Sequence, residues 1–149
     1  MKQFCVISCP PDTYSGYGAR SRDFLRALYE LKKDEWEIQV IPQRWGSTPW
    51  NYLEDHKEEW DWLLPLLNKT GQLTKQPDIW IQITVPNEFQ PIGKFNIGMT
   101  AGIETTVCDP TWIEGINRMD LTLVSSNFSK GVFDSIGFQQ KNQQGQVIK

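Results

Sequence analysis

The alternation of short apolar runs with segments of helical periodicity predicts an α/β fold, a three-layer sandwich around a mostly parallel five-stranded sheet. The apolar runs are four to six residues long by inspection, about the length of a buried strand. Between them, apolar residues such as Phe24, Leu28 and Leu31 recur three and four positions apart, as on one face of a helix. A length of 149 residues fits one domain with one core.

Strands are predicted over residues 3–8, 36–41, 78–83, 95–100 and 121–124, with helices over 19–32, after Asp109 and after Ser125 or Ser126. Residues 44–71, called the insertion below, are expected to form two short helices because Pro65 interrupts their apolar stripe. Right-handed crossovers predict the strand order 3-2-1-4-5. Residues 1–138 would then form the domain, and the Gln- and Lys-rich residues 139–149 a linker or frayed tail.

Composition excludes several classes of function. A net charge of −3 and the lack of a basic cluster argue against nucleic-acid binding. No apolar run approaches the roughly 20 residues of a membrane span. The cysteines Cys5, Cys9 and Cys108 show no zinc-site spacing, and reduced thiols in a cytoplasmic protein are expected. The single histidine, His56, lies in a charged run, so we expect neither a histidine-based triad nor a metal site.

A glycine-containing segment, Ser15–Gly18, lies between the first strand and the first helix. Glycines let a backbone approach a ligand closely, and a helix amino terminus offers free N–H groups to a phosphate. The alternative is a turn that needs glycine for backbone reasons alone. A nicotinamide cofactor is disfavoured because the second strand ends at Pro42 without the acidic residue that would bind a ribose.

A second candidate segment, residues 98–106, follows the fourth strand and contains Glu104. In parallel sheets, ligands bind beyond the carboxyl ends of the strands, where a carboxylate can accept hydroxyl hydrogen bonds or move a proton. Position alone favours an ordinary solvent-facing glutamate.

Several motifs in the second half of the chain carry a family resemblance. They are Glu104-Thr105, Pro110 with Trp112, Asn117 with Asp120, Ser125-Ser126 with Phe128, and the closing Gly137. In this order and spacing they resemble the amino-terminal domain of family-4-type glycosyltransferases of the GT-B architecture. The Ser15–Gly18 segment is similar to that family's first glycine-rich loop. Ser125 departs from the pattern, since the family commonly has proline there.

The resemblance implies a Rossmann-like, acceptor-side half of a nucleotide-sugar-dependent glycosyltransferase. It implies a catalytic role for Glu104, donor-phosphate contacts from Gly16, Tyr17 and Gly18, and acceptor or cleft positions for Asn87, Thr105, Ser125, Ser126 and Asn127. The partners would be a nucleotide sugar as donor substrate, a hydroxyl acceptor and a carboxyl-terminal domain; no further cofactor is expected. Without that second domain we expect no sugar transfer. The alternative is a stand-alone, non-catalytic binding module with the same fold.

Four of the seven tryptophans, Trp45, Trp50, Trp60 and Trp62, fall in the insertion. Two interpretations fit: an aromatic lining for an acceptor cleft, or a packed flap, which we favour. We also expect an exposed apolar patch at the carboxyl edge of the sheet, formed by Tyr17, Phe89 and some of these tryptophans.

Overall fold

The computed structural model describes residues 1–139 and 141–148. These residues form five strands, five α-helices and two short 3₁₀ helices. They are β1 (Gln3–Cys9), α1 (Gly16–Lys32), β2 (Trp36–Pro42), α2 (Tyr52–Asp55), α3 (Lys57–Trp60), a 3₁₀ helix (Asp61–Leu66), β3 (Ile79–Ile83), a 3₁₀ helix (Pro86–Glu88), β4 (Phe95–Met99), α4 (Pro110–Asn117), β5 (Leu121–Leu123) and α5 (Asn127–Ser135).

The five strands form one sheet in which every pairing is parallel, and this confirms the predicted fold class. The predicted strand order was wrong: the sheet runs β2-β1-β3-β4-β5. Strand composition gives the reason. β3 reads Ile-Trp-Ile-Gln-Ile and is buried over its last four residues, so it takes an inner position beside β1. β2 carries Glu37, Gln39 and a terminal Pro42, which suit an edge.

Each face of the sheet has its own apolar layer. On one face, β1, β3 and β4 pack with Leu25 of α1 and with Leu53 and Leu63 of the insertion. On the other face, Phe4, Val6 and Trp80 form a smaller cluster that Met119 covers after α4. The fold is therefore the expected three-layer sandwich.

The insertion contains the two expected short helices, α2 and α3, and a 3₁₀ helix that includes Pro65. Trp60 is buried, and Trp62 stacks on Tyr29 of α1 at 4.7 Å between ring centroids. This half of the insertion is a packed flap. Trp50, by contrast, is 53% exposed.

The expectation of Phe89 in the exposed apolar patch was wrong, because Phe89 is fully buried and lies directly against Gly98. Further exposed apolar side chains lie on the β4–β5 side of the sheet, at Phe95, Leu121 and Leu123. The register places these three on the same face as α1, since Ile97 pairs with Leu121 and strand side chains alternate between faces.

Within the tail, a bridge between Lys141 and Val147 closes a short turn. Two residues of the predicted linker, Gln140 and Lys149, lie outside the described residues. No helix in the described part of the chain is long and apolar enough to cross a bilayer.

The close approach of α4 to the 3₁₀ helix Pro86–Glu88 generates the first prediction. A Cβ atom on Gly115 would lie 1.7 Å from the Pro86 carbonyl oxygen, so Gly115→Ala forces the two segments apart. We expect the free energy of unfolding to fall by about 1–3 kcal/mol or more, as for overpacked cores. Urea denaturation measures it. Gly131→Ala in α5 is the matched control, because open space surrounds that glycine, and it should be neutral or stabilising by up to about 1 kcal/mol. Equal effects of the two variants would contradict the packing.

The buried thiols generate the second prediction. Burial raises the pKa of Cys5 and of Cys9 to about 12, so both stay protonated in the folded protein at a pH where the unfolded thiols ionise. The stabilisation is complete below the unfolded pKa near 9 and is lost as pH rises toward the folded value. Above pH 9, stability should fall by up to about 1.4 kcal/mol per pH unit for each thiol. The Cys5→Ala/Cys9→Ala double variant should show a shallower decline between pH 8.5 and pH 10 in urea denaturation, and an unchanged slope would refute this assignment.

Candidate functional site

A cleft of about 300 Å³ opens at the carboxyl edge of the sheet. It lies beyond the ends of β1 and β3, the neighbouring strands at which the strand order reverses, where open α/β sheets bind ligands. Segments that follow β1, β2, β4 and β5 line it together with the end of β3. The lining residues are Gly16, Tyr17, Arg20, Trp45, Ile83, Met99, Thr100, Ala101 and Ser125.

The first turn of α1 forms one wall of this cleft. The helix begins at Gly16, three residues earlier than predicted, so the glycine segment belongs to the helix rather than to a preceding loop. Ser15 caps it, and its Oγ accepts a hydrogen bond from the Gly18 amide at 2.9 Å. First-turn amides have no intrahelical acceptor, so those of Gly16 and Tyr17 stay available to an anion.

The two glycines of this turn serve different purposes. A Cβ on Gly18 would lie 2.2 Å from the Thr13 carbonyl oxygen, so the packing of the β1–α1 loop requires glycine there. A Cβ on Gly16 would meet no atom within 4 Å. Gly16 also lacks the positive φ angle that would demand glycine. The fold therefore does not require the missing side chain at Gly16, and its absence leaves the helix backbone open to the cleft.

Tyr17 links α1 to the end of β4 and to the insertion. Its hydroxyl lies 3.1 Å from Thr100 Oγ1 and accepts a hydrogen bond from the Ala101 amide at 3.1 Å. Its ring stacks on Trp45, with centroids 4.2 Å apart. Tyr17 and Trp45 thus form the aromatic floor of the cleft, and the hydrogen bonds fix the Tyr17 hydroxyl at the carboxyl edge of the sheet.

The β5 side of the cleft is set by Ser125, whose Oγ donates to the Ala101 carbonyl at 2.5 Å. Arg20, an exposed residue one turn into α1, supplies the cationic group among the lining residues. The cleft thus combines a cation, free helix amides and an aromatic surface, and none of its lining residues is a carboxylate.

A buried arginine holds the β1–α1 loop against the insertion. Arg22 is 6% exposed, and its Nη1 donates to the Pro11 and Thr13 carbonyls at 2.8 and 2.9 Å. Its guanidinium also lies 3.5 Å from the centroid of the Tyr52 ring. Burial lowers the pKa of Arg22 from its ordinary value. The guanidinium nevertheless stays charged throughout the physiological range.

Of the residues predicted for donor phosphates, Gly16 and Tyr17 line the cleft, whereas Gly18 packs against the Thr13 carbonyl outside the lining. Of those predicted for the acceptor side, Ser125 lines the cleft. Ser126 instead caps α5, accepting from the Ser129 amide at 3.1 Å, and Asn127 is exposed at the start of that helix.

The remaining predicted residues lie at the same edge of the sheet but outside the lining of this cleft. Asn87 is exposed after β3, and its carbonyl accepts from Arg118 at 3.0 Å. Glu104 and Thr105 are exposed in the loop after β4, where Thr105 Oγ1 donates to the Val107 carbonyl at 2.8 Å. Glu104 is therefore not one of the residues that line this cleft.

Sequence reasoning missed Arg20, an exposed residue of α1, as a lining residue. Thr100 falls within the candidate segment 98–106, at the end of a predicted strand on the ligand edge, but was not singled out. Trp45 was among the tryptophans considered as an acceptor-cleft lining, and its stack on Tyr17 places it in this cleft. The described residues contain no group of three histidine, cysteine, aspartate or glutamate side chains that could hold a metal ion.

The Tyr17 hydroxyl generates the third prediction. Tyr17→Phe keeps the stack on Trp45 but removes the hydroxyl shared by Thr100 and the Ala101 amide. We expect a loss of about 1 kcal/mol in the free energy of unfolding, measured by urea denaturation. Tyr29→Phe is the control, because Tyr29 also stacks on a tryptophan, while its hydroxyl bonds to no described residue. A Tyr17→Phe protein as stable as the wild type would contradict the bridging role.

No protein-family model, curated protein or solved structure matches this chain significantly. The chemistry and geometry of the cleft residues are therefore the grounds on which a function can be assigned.

Proposed function

We propose that this chain is the acceptor-side half of a nucleotide-sugar-dependent glycosyltransferase, with the donor diphosphate bound in the cleft at the start of α1. The observation that carries the proposal is Gly16: it opens the helix backbone to the cleft without any packing reason for a glycine. Free amides at a helix amino terminus and a cation one turn away, Arg20, suit a diphosphate.

The reaction breaks the bond between the anomeric carbon of the donor and its diphosphate oxygen. The diphosphate leaves with the electron pair, an acceptor hydroxyl oxygen bonds to the anomeric carbon, and the hydroxyl proton passes to a base. The amides of Gly16 and Tyr17 would stabilise the charge that develops on the leaving diphosphate. The Tyr17–Trp45 floor would hold the flat or apolar face of the nucleotide sugar.

Under this proposal, Glu104 is the candidate for contact with the acceptor hydroxyl. It follows Ala101, a cleft residue, by three positions. Its place outside the cleft lining fits a site that a second, carboxyl-terminal domain completes, as the family resemblance implies. The fold would then present the donor diphosphate site while the partner domain supplies the remaining donor contacts.

One observation favours the second candidate, a non-catalytic binding module. The lining of the cleft contains no carboxylate, and its tyrosine, threonine and serine hydroxyls are already engaged within the protein. No side chain there is placed to accept a proton from an acceptor. This arrangement would suit binding without turnover in the chain alone.

The fourth prediction tests the donor site. In ¹H–¹⁵N NMR titrations with UDP-glucose, GDP-mannose and dTDP-glucose, at least one donor should shift the amides of Gly16, Tyr17 and Ala101. Gly16→Val should weaken this binding about tenfold or more, which corresponds to about 1.4 kcal/mol, while leaving the protein folded, because a Cβ at this position meets no atom. Gly131→Val, at an equally open glycine, is the matched control and should bind like the wild type.

The same samples separate the two candidate functions. The chain alone should transfer no sugar to any acceptor, and its affinity for the donor should be weak. Turnover by the purified chain would show that the half-enzyme proposal is wrong. Binding of none of the three donors, or equal binding by the Gly16→Val variant, would contradict the proposed donor site itself.

A further inference from the structure

A second cleft, of about 450 Å³, lies on the other side of the β1–α1 loop, between that loop and the insertion. Main-chain hydrogen bonds hold its two walls together: Tyr14 donates to the Pro49 carbonyl at 2.9 Å, and Tyr52 donates to the Asp12 carbonyl at 3.1 Å. The Asp12 side chain adds a bond from the Leu53 amide at 2.8 Å. The cleft is therefore a formed part of the fold, with a volume in the range of small-molecule sites.

An exposed indole stands at this second cleft. Trp50 is 53% exposed even though the Arg44 guanidinium lies over its ring, 4.5 Å from the centroid. An exposed aromatic ring that lines a cleft offers a face on which a ligand can pack. The next residue, Asn51, is the only non-glycine residue in the described part of the chain with a positive φ angle, at 82°. Such sparsely populated backbone conformations cluster at ligand sites.

The charges that line the second cleft cancel. Arg44 and Lys69 contribute two cations, and Asp12 and Glu54 contribute two carboxylates. A phosphate or another anion would find no net electrostatic attraction there, because the two carboxylates would repel it as the two cations attract it. A neutral ligand with many hydroxyl groups can use the donors and the acceptors together, and the C–H face of a sugar ring packs on an aromatic ring.

The two clefts share a wall. Trp45 lines the first cleft and Arg44 lines the second, and consecutive Cα atoms lie about 3.8 Å apart. Likewise Thr13 lines the second cleft while Gly16, three residues later, lines the first. Ligands in the two clefts would therefore approach each other across the β1–α1 loop.

We propose that the second cleft binds a neutral saccharide, with a pyranose ring packed on Trp50 and its hydroxyls bonded by Arg44, Asp12 and Glu54. In naming this saccharide a part of the acceptor, apart from the hydroxyl that Glu104 would contact, the inference rests on the proposed transferase function; the binding itself does not. Leu53, Leu64 and Leu67 add apolar side chains to the lining of this cleft.

The test is a ¹H–¹⁵N NMR titration of the full chain with methyl glucopyranoside, methyl galactopyranoside, methyl mannopyranoside and N-acetylglucosamine, each to roughly 10 mM, enough to detect a Kd near 1 mM. At least one saccharide should shift amides at Trp50, Asn51 and Arg44. Trp50→Ala should raise its Kd at least about tenfold, a loss of about 1.4 kcal/mol. Phe128→Ala is the matched control, since Phe128 in α5 is 52% exposed and lines neither cleft.

Three results would overturn the saccharide site: no shift with any of the four sugars, equal binding by Trp50→Ala, or binding of inorganic phosphate or pyrophosphate in the second cleft instead. Parallel titrations with the nucleotide sugars separate this failure from that of the proposed function. Donor binding without saccharide binding would contradict the saccharide site only. Saccharide binding without donor binding would support this site and contradict the proposed transferase function.

Discussion

The clamp that Arg22 places on the β1–α1 loop is the interaction on which both clefts depend. The loop is nearly all buried main chain and proline up to Thr13, so its carbonyls need a donor from within the protein. Arg22 satisfies two of them and packs its planar group on Tyr52 of the insertion. One side chain thereby fixes the loop that separates the two clefts, the start of α1 and the approach of the insertion.

The two clefts beside this loop differ in the ligand chemistry that their side chains suit. The first cleft has free helix amides, a cation and an aromatic floor, a set of groups suited to an anionic, partly flat ligand such as a nucleotide sugar. The second cleft has balanced charges and an exposed indole, which suit a neutral polyol. The two clefts adjoin at Arg44 and Trp45, so ligands of these two chemistries would be held next to each other.

Much of the fold could be predicted from local pattern. The strands and the helices of the second half were found because apolar periodicity and caps such as Asp109 and Ser126 are local signals. The position of β3 was missed because a right-handed crossover permits either side of β1; what decides it is the burial of both faces of Ile-Trp-Ile-Gln-Ile against the polar residues of β2. The start of α1 was placed late because glycine was interpreted as loop. The different roles of Gly16 and Gly18 depend on the Thr13 carbonyl, and the stack of Trp45 on Tyr17 depends on how the insertion folds. Neither contact is visible in sequence spacing.

The central claim, that a diphosphate binds at the first turn of α1, is tested most directly by locating the diphosphate itself. A Mn²⁺ complex of UDP broadens NMR signals of nuclei close to its phosphates, even when binding is weak, and Mn²⁺ alone supplies the blank. The account predicts that the amide signals of Gly16 and Tyr17 broaden first and that those of Ala101 and Ser125 follow. Broadening centred elsewhere on the chain, or equal to that with Mn²⁺ alone, would contradict it.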